Sequence, residues 1–265
     1  MPSSPRPVPA ATVLLLRNGA AGLEVFMVVR HHRIDFAAGA MVFPGGKVHP
    51  ADAAPEVLAR STGIDGLPAE AAAMRVAALR EMFEECGVLL ARPRGLPHLV
   101  TAARLADLGP RYRQALESEK TEIGALLAQE DLVLACELLV PFAHWITPEL
   151  MPKRFDTHFF LAVAPVDQIA IHDGGESVDS VWTTPAAALA EADRGRRTII
   201  FPTRLNLAKL SRSRSVTEAV ELARRSTIVT VLPWVDTSGE APVLRIPADA
   251  GYDANDAPLE EIIGK

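Results

Sequence analysis

Residues Glu70 to Cys86, EAAAMRVAALREMFEEC, contain strong helix formers throughout and no internal Gly or Pro, and Gly87 follows as a stop signal. The way this predicted helix divides its side chains constrains the chain more than any other feature. At about 100° per residue, Val76, Leu79, Phe83 and Cys86 fall on one stripe, while Glu81, Glu84 and Glu85 gather on the opposite side. Like charges three and four residues apart destabilise a helix by about 0.2–0.5 kcal/mol per pair, so something cationic is expected to offset them. A hard divalent ion such as Mg2+ takes carboxylate ligands together with phosphate oxygens of a substrate. The plainer alternative is a solvated acidic face.

Around this helix the sequence alternates strands and helices. Ala11–Arg17 and Glu24–Arg30 read as a hairpin across Asn18–Gly22, and Met41-Val42-Phe43 leads into Pro44-Gly45-Gly46, where the backbone can turn sharply and approach a ligand. Residues 100–135 read as further helix broken at Gly109-Pro110. Leu138–Ile146, Phe155–Ala164 and a short run through Val181-Trp182 read as strands, as does Thr227–Val235. Thr184-Pro185 and Ser215-Val216-Thr217-Glu218 are helix starts. The proline-rich residues 1–9 read as a mobile arm.

Upstream Phe43-Pro44-Gly45-Gly46 and the run Arg80-Glu81-Met82-Phe83-Glu84-Glu85-Cys86-Gly87-Val88 together resemble the Nudix hydrolase superfamily, whose box is G-x5-E-x7-R-E-U-x-E-E-x-G-U with U aliphatic. Every fixed position of the second half is present. In the first half, Asp52 stands where the box has Glu, and 27 residues instead of 7 separate it from Arg80, an insertion of 20. The inserted segment is polar and Gly/Pro-punctuated, as a surface excursion would be. The resemblance implies a mixed α/β fold, a Nudix-type α/β/α sandwich enlarged by a helical insertion over about 97–135 and a C-terminal extension over 196–265, with the catalytic domain over 10–195. It also implies roles. Glu84, Glu85 and the carbonyl of Gly45 match metal ligands for Mg2+ or Mn2+, and Glu81 matches a further ligand or the general base. Arg80 matches a residue that holds the carboxylates in place. The first acid of the box pairs with the Arg, a role for Asp52 or for Glu70 on the helix. Glu176, six residues before Trp182, matches a later acid that serves as an additional ligand or base. Arg30, Arg33, Lys47 and Arg154 are the basic residues expected to meet substrate.

His144-Trp145-Ile146-Thr147-Pro148, Arg154-Phe155-Asp156-Thr157 and the long box insertion resemble the peroxisomal acyl-coenzyme A diphosphatase branch. The shorter coenzyme A signature of other Nudix enzymes expects a base four residues before Gly39. Asp35 stands there, with Arg33 the nearest base. The expected activity is metal-dependent cleavage of a nucleoside diphosphate linked to another moiety, foremost coenzyme A or acyl-coenzyme A. The alternatives are an ADP-ribose or NADH-type dinucleotide diphosphatase and a non-catalytic nucleotide sensor. Charge and composition agree with a small-molecule partner. The 27 Lys+Arg against 33 Asp+Glu give −6, and aromatics are only 5%, which excludes a general affinity for nucleic acid or anionic membrane. Nine basic residues and two acids between Arg194 and Arg225 make a local +7, suited to a polyanionic nucleotide or to the acidic tail. Cys86 and Cys136 form no disulfide framework, so a reducing, cytoplasmic setting is expected. The family resemblance and the charge asymmetry imply a homodimer.

Overall fold

The computed structural model describes residues 5–30, 39–174 and 177–259. A long, almost wholly apolar first strand, β1 (Val8–Gly19), turns into β2 (Gly22–Arg30), with Leu16 opposite Val25 and Gly19 opposite Gly22. β3 (Met41–Val42) pairs with β2, and β4 (Gly45–Lys47) pairs with β1. β5 (Val140–Ile146), β6 (Phe155–Val163), β7 (Ser177–Thr183) and β8 (Thr230–Val231) complete the sheet, in the order β7-β2-β1-β6-β5-β8. The β1–β6 and β5–β8 pairs are parallel and the others antiparallel.

Both faces of this sheet are buried, which is why β1 reads as a continuous apolar run and not as an alternation. Ala11, Val13 and Leu15 point into one core with the helix Ala69–Cys86, hereafter the box helix. Leu14 and Leu16 point into a second core with Leu205, Leu207, Val216 and Ala219 from the helices Phe201–Leu210 and Val216–Arg225. The expected mixed α/β architecture with helices on either side of a sheet is what the chain adopts.

Several segments differ from their sequence reading. Val8 and Pro9 of the expected arm open β1, Val8 lying opposite Phe155. The expected strand Thr227–Val235 is divided between β8 and a strand Trp234–Asp236 that pairs with Val243–Arg245 in a separate sheet. The helix Ala102–Glu117 runs straight through Gly109-Pro110. Leu105, Leu108, Tyr112 and Leu116 are buried along it, whereas Pro110 is exposed, so the Ala106 carbonyl that loses its intrahelical donor lies on the wet side. The rest of the 100–135 stretch is a short helix, Ile123–Gln129, and a strand, Leu132–Ala135. The box insertion is more than a surface excursion: Val57 is buried, and Ser61–Thr62 pairs in parallel with Leu132–Ala135, which also pairs with Ala91–Pro93. The two insertions thus brace each other. Phe201–Leu210 is a further helix, opened by Pro202 in its first turn.

Candidate active site

The box helix ends where its sequence requires. Gly87 takes a left-handed conformation (φ 71°) and its N–H donates to the Phe83 carbonyl at 2.9 Å, closing the last turn. All residues from Val76 to Cys86 are buried, the acidic side included. Glu81, Glu84 and Glu85 keep 9%, 7% and 6% of their surface, so the carboxylate face is desolvated and must find partners within the protein.

Arg80 supplies most of them. Its Nε and Nη2 donate to the two oxygens of Asp52 at 2.8 and 3.0 Å, a bidentate pair in which Asp52 has no exposed surface. Nη2 also donates to the Lys47 carbonyl at 2.8 Å. Nη1 donates to Glu81 Oε1 at 2.9 Å and to Glu84 Oε2 at 3.1 Å, so two carboxylates converge on one nitrogen. Asp52 reaches Arg80 despite its short side chain because it rides on the 3-10 turn Pro50–Ala53, where it also accepts from the His49 N–H at 2.8 Å. Glu70 is exposed in the first turn of the box helix, so the pairing role falls to Asp52. Burial works against the charged guanidinium of Arg80, but the Asp52 hydrogen bond and the Glu81, Asp52 and Glu84 charges outweigh it and hold its pKa above the ordinary value. For Glu84 the balance goes the other way. Desolvation exceeds the help from Arg80, and the neighbouring Glu81 adds repulsion, so its carboxyl is pushed up to about 7.

The glycine turn lies against these carboxylates. The Gly45 N–H donates to Glu85 Oε2 at 2.8 Å. A Cβ on Gly46 would stand 2.4 Å from Glu81 Oε1, and one on Gly45 would stand 2.3 Å from the Ala11 carbonyl oxygen. Any larger residue at either position would displace the strand or the acid.

One participant has no sequence signature. Arg113, on the helix Ala102–Glu117, donates from Nε and Nη2 to the Glu84 carbonyl at 3.2 and 3.1 Å, and from Nη2 to the Ile171 carbonyl at 3.1 Å. It caps the end of the box helix with positive charge, where the helix dipole is negative. The space comes from Gly87, since a Cβ there would meet Arg113 Nη1 at 2.9 Å.

The other expected site residues lie differently. Lys47 is exposed, and its contribution to the network is the carbonyl bonded to Arg80. Arg154 is buried and donates to the carbonyls of Thr147 and Pro5. Arg30 ends β2 opposite Ser177, and among the described residues its buried Nε has no hydrogen-bond partner. Arg33 and Glu176 lie outside the described residues. Cys86 is fully buried and its thiol is pushed well up by desolvation, as suits a core residue. The basic 194–225 stretch largely spends its charge locally: Arg196 meets Glu191 at 2.7 Å, Arg197 meets Asp179 at 3.2 Å, and Arg212 meets Asp253 of the acidic tail at 2.7 Å.

Three oxygen-rich side chains on one buried helix face, two of them meeting at a single cationic nitrogen, are a donor set of the kind that holds a hard divalent ion. The raised carboxyl of Glu84 marks a site short of positive charge. The residues present fit such an ion.

Comparison with known proteins agrees with this geometry. The NUDT19 Nudix domain family matches residues 57–210, a stretch that takes in the box helix but neither Gly45-Gly46 nor Asp52. Proteins named acyl-coenzyme A diphosphatase NUDT19 are similar: that of Homo sapiens is 27% identical over 64% of this chain and 55% of its own length. That of Xenopus laevis is 23% identical over 66% of this chain and 56% of its own length. The chain thus spans about half the length of the curated relatives it matches. A crystal structure of a NUDIX hydrolase from Alicyclobacillus acidocaldarius superposes with a TM-score of 0.67 and 28% identity, covering 84% of this chain and 98% of that one. Among the described residues, no helix is long and apolar enough to cross a membrane.

Proposed function

Because the chain belongs to the NUDT19 Nudix domain family of the Nudix hydrolases, we propose that it cleaves the diphosphate of coenzyme A or an acyl-coenzyme A in a metal-dependent reaction. The observation that carries the hydrolytic reading is the buried Asp52–Arg80 pair presenting Glu81 and Glu84 beside the Gly45-Gly46 turn. The substrate reading leans on the names of the relatives, at 23–27% identity.

Glu84, Glu85 and Glu81, with the Gly45 carbonyl, would hold Mg2+ or Mn2+. The bound cation would neutralise charge that builds on the diphosphate oxygens. Arg80 keeps the carboxylates aimed by pulling Glu81 and Glu84 toward one nitrogen, while Asp52 and the Lys47 carbonyl prevent its own rotation. Glu85 is steadied by the Gly45 N–H. A carboxylate oxygen of Glu81 takes the proton of the attacking water, whose oxygen bonds to one phosphorus as the bridging P–O bond breaks. For coenzyme A the products are 3′,5′-ADP and phosphopantetheine. Arg30, Arg33 and Lys47 are the basic residues proposed to meet substrate and Glu176 the additional ligand or base, whereas Arg154 is given a structural part by its bonds to Thr147 and Pro5. Residues 10–195 are the proposed catalytic unit and 196–265 its extension, from which Lys209 donates to the Phe142 carbonyl at 3.1 Å.

Incubation with Mg2+ and coenzyme A, acyl-coenzyme A, ADP-ribose or NADH, followed by chromatography, tests the proposal. Cleavage of coenzyme A compounds is expected. No cleavage of them beyond a Glu85→Gln control refutes the coenzyme A reading, and preferential cleavage of ADP-ribose or NADH replaces it with the dinucleotide one.

A further inference from the structure

Away from the box carboxylates, the sheet brings together three more side chains with metal-ligating atoms. His144 on β5 and His158 on β6 are directly opposite each other, and Asp156 precedes His158 by two residues, so all three point to one face. Their candidate ligand atoms lie within 4.8 Å of one another. The imidazoles stack with centroids 4.0 Å apart and planes inclined by 23°. His144 is held at both nitrogens: Nε2 lies 2.5 Å from Asp156 Oδ1, and Nδ1 lies 2.8 Å from Thr230 Oγ1 on β8, the next strand, where Thr230 is the direct neighbour of His144.

The location follows from register. Gly46 pairs with Ala11, and Ala11 pairs with His158, so His158 sits two strands from Gly46, about 10 Å away at the usual strand spacing. Residues in such a row share a face, here the one on which Glu81 covers Gly46. The trio therefore flanks the box helix on the same side of the sheet without belonging to the box. Arg75 of the box helix, above the Phe160 ring at 5.4 Å, is the nearby positive charge, and it donates to the Ala71 carbonyl of its own helix.

We propose that His144, Asp156 and His158 form a second cation site, chemically distinct from the box, for a borderline divalent ion such as Zn2+, with Thr230 orienting His144. Two imidazoles and one carboxylate suit zinc, cobalt or nickel better than magnesium, which prefers oxygen throughout. Three protein ligands leave a coordination position open toward the partly exposed face. A tetrahedral ion with ligands at about 2.0–2.1 Å keeps them roughly 3.4 Å apart. The His144–Asp156 contact must open by about 1 Å and the His158 nitrogen must draw in, both within reach of side-chain torsions on fixed strands. Without metal, a hydrogen bond joins His144 Nε2 to Asp156. The cation takes the place of that shared proton, and Thr230 keeps the ring turned toward it.

Co2+, whose visible absorption reports its coordination, is the probe. Chelator-stripped full-chain protein is titrated with Co2+ while millimolar Mg2+ occupies the box. The proposal expects one intense low-coordination band that saturates at one equivalent, is displaced by Zn2+, and persists in the Glu84→Gln/Glu85→Gln variant. His158→Ala should weaken Co2+ at least tenfold, as should Asp156→Asn, which keeps the shape of the strand if the alanine variant fails to fold. Thr230→Val should weaken it about 10–100-fold. Absence of the band, or its survival in both His158→Ala and Asp156→Asn, overturns the site. Its loss in the Glu84→Gln/Glu85→Gln variant means that Co2+ reports the box, and overturns it equally. None of these outcomes depends on hydrolytic activity, so the proposal can fail while the diphosphatase reading stands, and the reverse.

Discussion

Replacing Asp52 by Asn separates the charge of the Asp52–Arg80 pair from its shape. The amide can still accept at one oxygen from Arg80 Nε, now 2.8 Å away, but its NH2 group confronts Nη2 across a 3.0 Å gap, donor against donor. Arg80 remains charged and 4% exposed. Breaking one partner of a buried ion pair costs about 3–5 kcal/mol. Glu81 and Glu84 still serve Nη1, which places the expected loss at the lower end, about 3 kcal/mol. In urea, with an m-value of about 3 kcal/mol/M for a chain of this size, the unfolding midpoint should fall by about 1 M. Because Arg80 no longer pins the carboxylates, kcat/KM should fall about 10–100-fold in the variant that remains folded. Asp52→Glu restores charge and instead crowds a site with no spare surface, at about 1–3 kcal/mol. An Asn variant within about 0.5 kcal/mol of wild type and fully active would refute the argument that Asp52 holds the box.

Gly46→Ala puts a methyl group 2.4 Å from Glu81 Oε1; kcat should drop about 100-fold or more with little change in Tm, measured by turnover and calorimetry side by side. Arg113→Met removes three hydrogen bonds to the Glu84 and Ile171 carbonyls and should cost about 1–3 kcal/mol in urea unfolding, while Arg113→Lys recovers part of it. The Glu84 carboxyl, raised to about 7, must lose its proton to bind metal, so Mg2+ affinity by calorimetry should be level above that pH and fall about tenfold per unit below it. The same shift means that folded metal-free protein holds a proton that the unfolded chain releases above about 4.5. This contribution to stability is present below about 4.5 and lost as pH rises through 7, and chemical denaturation at a series of pH values with chelator reads it.

The box helix was legible because its information is local: helix formers, a glycine stop and the acid spacing lie within 18 residues, and the expected Glu70 start differs from the observed Ala69 by one position. Asp52 was legible as a candidate partner of Arg80 but not as the choice over Glu70, since its reach depends on the Pro50–Ala53 turn. The break expected at Gly109-Pro110 did not occur because burial of Leu108 and Tyr112 outweighs one exposed missing hydrogen bond. Pro202 near the start of Phe201–Leu210 is a helix-start signal within the sequence, although no side-chain cap accompanies it. Arg113 was invisible in principle, for its partners are backbone carbonyls. His144, Asp156 and His158 meet only through strand register, which links positions 12 to 14 residues apart.

The proposed metal-dependent diphosphatase activity rests on the buried Glu81, Glu84 and Glu85 cluster. Turnover of a diphosphate panel by wild type and by the Glu84→Gln and Glu85→Gln variants, each with Mg2+ and with chelator, tests it most directly. The account predicts phosphate-anhydride cleavage that vanishes with chelator and falls at least about 100-fold in both folded variants. Cleavage that persists in both variants, or that is indifferent to chelator, would contradict it.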